Sequence, residues 1–125
     1  MTKLISRDSW RTVDMPLTYE TTSLNIKLTE SEFQAVLIGF LPKDTDDRWF
    51  MYVNEGWINL HRSWTGHCIF RIKVEVMNEG WLLNGLQVNR DHNQYKSTNI
   101  EADKNEAESV LRYLIKKRIT ETINS

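Results

Sequence analysis

Leu24, Ile26 and Leu28 alternate with Asn25 and Lys27, the period-two pattern of a short strand with one buried face. Thr29-Glu30-Ser31-Glu32 follows at once. A Thr hydroxyl can accept from the amide three residues on while the Glu there reaches back to the Thr amide, so this capping box predicts a helix start. Phe33, Val36, Leu37 and Phe40 then fall at i, i+3, i+4 and i+7 on one helical face, and Gly39 and Pro42 predict the stop.

Beyond the polar linker 43–47, segments 48–53 and 57–62 are rich in aromatic and β-branched residues and flank Asn54-Glu55-Gly56, which predicts a hairpin. Three loop residues with Gly last suit a type I turn closed by a left-handed glycine, so Gly56→Val should weaken folding. Asn78-Glu79-Gly80 recurs between segments 68–76 and 82–88, and predicts a second hairpin with the same turn. In its first strand Cys68, Phe70, Ile72, Val74 and Val76 share one face, and Ile69, Arg71, Lys73 and Glu75 the other. The first hairpin carries bulk on both faces, with Trp49, Met51 and Val53 on one and Phe50 and Tyr52 on the other. It is either central in the sheet or displays aromatics.

Residues 90–99 are nearly all polar and read as a surface loop. A second capping box, Asp103-Lys104-Asn105-Glu106, predicts a helix with an apolar stripe of Ala107, Val110, Leu111 and Leu114, closed by Lys116-Lys117-Arg118 at its negative end. The expected fold is α+β: a single antiparallel sheet of four to five strands, containing two consecutive hairpins, with two amphipathic helices packed on one face. At 125 residues the chain reads as one domain, with an N-terminal arm over 1–22, a core over 23–119 and a frayed tail over 120–125.

Composition narrows the function classes. With 16 basic against 17 acidic residues there is no global pull toward nucleic acid or anionic membrane, and binding to either would need a local patch. The apolar run 35–41 is far shorter than the ~20 residues that span a bilayer, and the N-terminus meets charge before any signal-peptide core can form. A single Cys68 allows no internal disulfide, which suits a reducing, cytoplasmic compartment. No Cys/His cluster has structural-zinc spacing, and no Gly-rich phosphate loop or nucleophile elbow occurs. No metal ligand, cofactor or catalytic residue is therefore assigned.

The segment joining the hairpins, 60–68, concentrates two imidazoles, a guanidinium, two hydroxyls and a thiol. Arg62 could grip a phosphate, Ser63 and Thr65 with the backbone near Gly66 could complete an anion nest, Trp64 could stack on a planar ring, and His61 could line the site. The same residues also suit a plain tight turn, with Trp64 as a core anchor and His61 and Arg62 solvated at a strand end. Cys68, in register with Phe70, is expected in the core rather than as a nucleophile.

The run from Arg48-Trp49-Phe50 through Trp57 to His61-Arg62-Ser63-Trp64-Thr65-Gly66-His67-Cys68-Ile69 resembles a segment of uncharacterised bacterial proteins. Some of these accompany ADP-ribose-processing domains of the ADP-ribosylglycohydrolase or macro type. The resemblance covers about the middle fifth of the chain and implies an accessory or sensing module in a nucleotide context. It carries over no catalytic residue.

Two functions are thus expected. In the first, a phosphate-bearing, nucleotide-like ligand of the ADP-ribose class binds at the loop 61–66. In the second, Trp49 and Tyr52 on an exposed sheet face, with Arg90, His92 and Tyr95 from the polar loop, form a surface for a protein partner or inhibitory target. A third and weaker reading stacks single-stranded RNA on Trp49, Tyr52, Trp57, Trp64 and Trp81, with Arg48, Arg62, Arg71 and Lys73 beside them.

Overall fold

A computed structural model describes residues 4–124; residues 1–3 of the expected arm and Ser125 of the expected tail lie outside the described residues. The elements in order are β1 (Tyr19–Leu28), α1 (Glu30–Ile38), β2 (Trp49–Asn54), β3 (Trp57–Arg62), β4 (Cys68–Met77), β5 (Gly80–Asn89) and α2 (Ile100–Asn124). The strands make one open antiparallel sheet in the order β1-β5-β4-β3-β2, so the fold is α+β as its pattern predicted.

Register explains how one face becomes the core. Met51, Leu60, Phe70 and Val88 lie opposite one another across four strands, as do Val53, Ile58, Ile72 and Leu86. Both rows, with Val53 partly buried at their end, pack into a cluster that also takes Phe33 and Val36 from α1 and Ala107, Val110, Leu111 and Leu114 from α2, so both helices cover this face. Fully burying one such side chain stabilises the fold by about 1.5–3 kcal/mol.

The capping box at Thr29 forms as expected: its hydroxyl accepts from the Glu32 amide at 3.2 Å, and the Glu32 carboxylate accepts from the Thr29 amide at 2.9 Å. Phe40, expected as the last turn of the apolar stripe, lies beyond α1 and instead exchanges two backbone hydrogen bonds with Met51, covering part of the edge of β2.

Several expectations are corrected. Strand β1 starts at Tyr19, inside the expected arm, because residues 19–23 pair with residues 85–89 despite their Thr- and Ser-rich sequence. The first hairpin loop has two residues, not three. Asn54 pairs with Trp57, and Glu55 (φ 52°) and Gly56 (φ 84°) are both left-handed, the pattern of a type I′ turn. The second turn is different despite its identical residues: Met77 pairs with Gly80, Asn78 and Glu79 form the loop, and Glu79 is not left-handed.

Helix α2 begins three residues before the expected box. Asn99 caps it, its side chain accepting from the Ala102 amide at 3.0 Å, while the Asp103 carboxylate is engaged by Arg90 and Tyr95. The helix also runs past Thr120 to Asn124. Lys117 and Arg118 therefore do not close its end. Lys117 pairs with Asp47, and Arg118 donates to the Gly39 carbonyl at 2.9 Å, satisfying the end of α1.

The first hairpin is neither central nor displayed. Strand β2 is an edge, yet Trp49, Phe50, Met51 and Tyr52 are all buried. On the face away from the helices the N-terminal arm supplies the cover: Arg7, Asp14 and Met15 wall a small cavity of about 210 Å³ together with Tyr52, His61 and Cys68. No described helix is long and apolar enough to cross a membrane.

Candidate functional site

The segment after β3 is held from three directions. Within it, the Gly66 amide donates to the Arg62 carbonyl at 2.8 Å and the Arg62 amide to the His67 carbonyl at 2.9 Å. From the linker before β2, the Asp47 and Arg48 carbonyls accept from the Ser63 hydroxyl (2.7 Å) and amide (2.9 Å). From the arm, Trp10 Nε1 donates to the Ser63 carbonyl at 2.7 Å, Arg11 Nη1 to the Trp64 carbonyl at 3.3 Å and the Val13 amide to the Gly66 carbonyl at 2.8 Å. Gly66 has φ 82°, and a Cβ there would lie 3.1 Å from the Arg11 carbonyl oxygen. Glycine serves both the turn and the arm's approach.

This arrangement divides the predicted site residues. His61 is buried rather than lining a site or standing in solvent, with its Nδ1 2.8 Å from the Gly66 carbonyl and its Nε2 3.2 Å from the Tyr52 hydroxyl. A carbonyl can only accept, so Nδ1 carries the proton and Nε2 accepts from Tyr52. Burial holds the imidazole below its ordinary pKa, against the opposing effect of the Gly66 carbonyl. Ser63 and Gly66 are buried and shape the loop. Trp64 is not a core anchor: it is 66 % exposed.

Arg62, Trp64 and Thr65 face an open cleft of about 600 Å³, within the ~300–1,000 Å³ of small-molecule sites. Thr45 and Arg48 from the linker form a second wall, and Gln94, Tyr95, Lys96 and Ser97 a third. Arg48, Arg62 and Lys96 make three cations in this lining, with no acidic side chain among them. None forms an ion pair among the described residues. The Arg62 guanidinium lies over the Trp49 ring, 4.5 Å from its centroid, which fixes its position without neutralising it.

The third wall is pinned from below. Arg90 donates to the Ser97 carbonyl at 3.1 Å and contacts Glu20 at 2.9 Å and Asp103 at 2.7 Å. The Tyr95 hydroxyl donates to Asp103 at 2.6 Å, and its ring meets the edge of Phe70 at 5.8 Å. Burial, then the bond to Asp103, pushes Tyr95 up to about 12. Burial would raise Asp103 as well, but the hydrogen bonds from Tyr95, Ser97 and Arg90 more than offset it and hold the carboxyl below its ordinary range. Tyr95, expected in a partner surface, and Lys96, absent from the expected site, both line this cleft; an aromatic beside a lysine in an otherwise polar loop is the available sequence signal.

The expected partner surface does not assemble as an exposed patch. Trp49 is 9 % and Tyr52 5 % exposed, Arg90 is occupied with Glu20 and Asp103, and of the five residues only His92 is exposed. The aromatics of the RNA reading are likewise packed to differing degrees: Trp81 stacks on Phe33 at 4.0 Å and Arg71 covers Trp57 at 4.6 Å, leaving Trp64 as the one exposed indole of that set.

Cys68 is buried, but on the other face from the one expected. Leu60 pairs with Phe70 and His61 with Cys68, so Ile69 is an extra residue that reverses the alternation and places Cys68 beneath the arm. Burial pushes its thiol up to about 12, the opposite of an activated nucleophile. Among the described residues no cluster of three His, Cys, Asp or Glu side chains could hold a metal ion.

The chain is thus an α+β sheet protein with an open, cationic, aromatic-edged cleft at one end of its first hairpin. Compared with known proteins, it matches no family model, no curated protein and no solved structure.

Proposed function

We propose that the protein binds a phosphate-bearing, nucleotide-like ligand in the cleft between Arg62, Trp64 and Lys96. The observation that carries this reading is the set of three cations without ion-pair partners around one exposed indole, with no carboxylate in the wall. Unneutralised cations on a rigid frame favour an anion, and Arg48 and Arg62 offer forked donors that match a phosphate's oxygens. The Trp64 face, free to solvent, suits a planar base. Thr45, Thr65 and the amide of Gln94 add neutral hydrogen-bonding groups for a sugar. The cleft lining holds no His, Cys, Asp or Glu to act as base or thiol nucleophile, which favours binding over catalysis.

A thermal-shift series with phosphate, AMP, ADP and ATP tests this, because a ligand of the native state raises Tm by mass action. The expected result is a rise with the nucleotides that disappears in Arg62→Ala and shrinks in Trp64→Ala. No rise with any of them, or a rise retained in the Arg62→Ala/Trp64→Ala double variant, would overturn the proposal.

A further inference from the structure

A second cleft of about 350 Å³ lies beside the first, and Thr45 and Trp64 line both. The exposed Trp64 side chain is therefore a partition with open space on each side rather than the back wall of one pocket. The two sides differ in charge. The first holds Arg48, Arg62 and Lys96 without an acid, whereas the second is lined by Arg11, Lys43 and the acid Asp44, with the Trp10 ring beside them. Lys43 is paired with Glu121 at 3.3 Å.

Resting on the nucleotide reading above, we infer that the ligand has two nucleoside-type ends joined through phosphate, and that it straddles Trp64. The phosphate linkage and one end occupy the cationic cleft, and the second, uncharged end occupies the cleft of Trp10 and Asp44. A ring there meets the Trp10 indole, and a carboxylate such as Asp44 is an acceptor for sugar hydroxyls, whereas it would repel a second phosphate. The position is built: Trp10 and Arg11 are tied by their side chains to the Ser63 and Trp64 carbonyls, so the second cleft is fixed to the loop that carries the first.

Calorimetric titrations with AMP, with the pyrophosphate-linked NADH and diadenosine pyrophosphate, and with the phosphodiester-linked dinucleotide ApA test this. The expected result is about tenfold tighter binding of one linkage class than of AMP, the gain of one added stacking contact. Whichever linkage shows the gain identifies the source. Asp44→Ala should remove that gain while leaving AMP affinity unchanged, which also shows that the variant is folded. In the unaltered protein, the Trp10 indole N–H resonance should move with the two-ended ligand and stay still with AMP. Equal affinity of AMP and every two-ended ligand, or a gain that survives in Asp44→Ala with a silent Trp10, would overturn this inference and leave the single-cleft reading standing. Failure of AMP and of every two-ended ligand to bind would instead overturn the reading on which it rests.

Discussion

Asp103→Ala is the substitution whose cost the structure defines most closely. The Asp103 side chain is 1 % exposed and the Arg90 side chain 12 %, and their closest atoms lie 2.7 Å apart. Removing one partner of a buried ion pair costs about 3–5 kcal/mol, because a charge is left behind without compensation. Arg90 would keep Glu20 at 2.9 Å and the Ser97 carbonyl at 3.1 Å, which lowers that figure, while the Tyr95 hydroxyl would lose its acceptor, which adds about 1 kcal/mol. The net expectation is a loss of about 3 kcal/mol. Asp103→Asn keeps an acceptor for Tyr95 and should cost about half as much. Urea unfolding followed by Trp fluorescence checks this, with the loss read from a lower midpoint at unchanged slope. Tm should fall by about 10–15 °C in Asp103→Ala. A loss below about 1 kcal/mol would refute the claim that this pair pins the loop carrying Tyr95 and Lys96.

Other outcomes follow from the same geometry. Because the native His61 imidazole resists protonation while the unfolded chain takes a proton near the ordinary 6.5, the unfolded state binds more protons below that pH. Stability should therefore fall as pH drops from 7 toward 5, and His61→Asn should flatten that slope in urea titrations at each pH. The carboxyl of Asp103 works in the acid range: its pKa is held below the ordinary 3.8, so its contribution is present above that value and lost as pH falls through it, a limb that Asp103→Asn should remove. Gly66→Ala should cost about 1–2 kcal/mol for its left-handed backbone, with a further loss from contact with Arg11, again visible in the urea midpoint. Gly56→Ala should cost only the backbone part, since nothing lies within 4 Å of its Cβ position.

Much of the fold was legible because local chemistry and tertiary packing agree. The Thr29 box, the strand at residues 24–28 and the two Asn-Glu-Gly turns each mark an element that the structure contains. What escaped depends on partners distant in sequence. Residues 19–23 have no apolar alternation, and become strand only by pairing with β5. Asp103 looked like a helix cap, but Arg90 and Tyr95 claim its carboxylate. Alternation alone put Cys68 with Phe70, and a single extra residue opposite β3 reversed it.

The candidate site was half legible. Arg62, Trp64 and Thr65 were drawn from their side-chain chemistry and do share a cleft. His61 and Ser63 have equally suggestive chemistry, yet their hydrogen bonds to Gly66, Tyr52 and Asp47 commit them to holding the loop. The wall containing Lys96 comes from a segment whose position is set by the Arg90–Asp103 pair, a contact no local pattern encodes.

The most direct test of the cationic cleft is an AMP titration followed through the indole N–H resonances of the five Trp. The account predicts that Trp64 shifts progressively to saturation while Trp57 and Trp81, each already packed elsewhere, stay in place, and that Arg62→Ala abolishes the shift. A still Trp64 at millimolar AMP, or a response unchanged by Arg62→Ala, would contradict it.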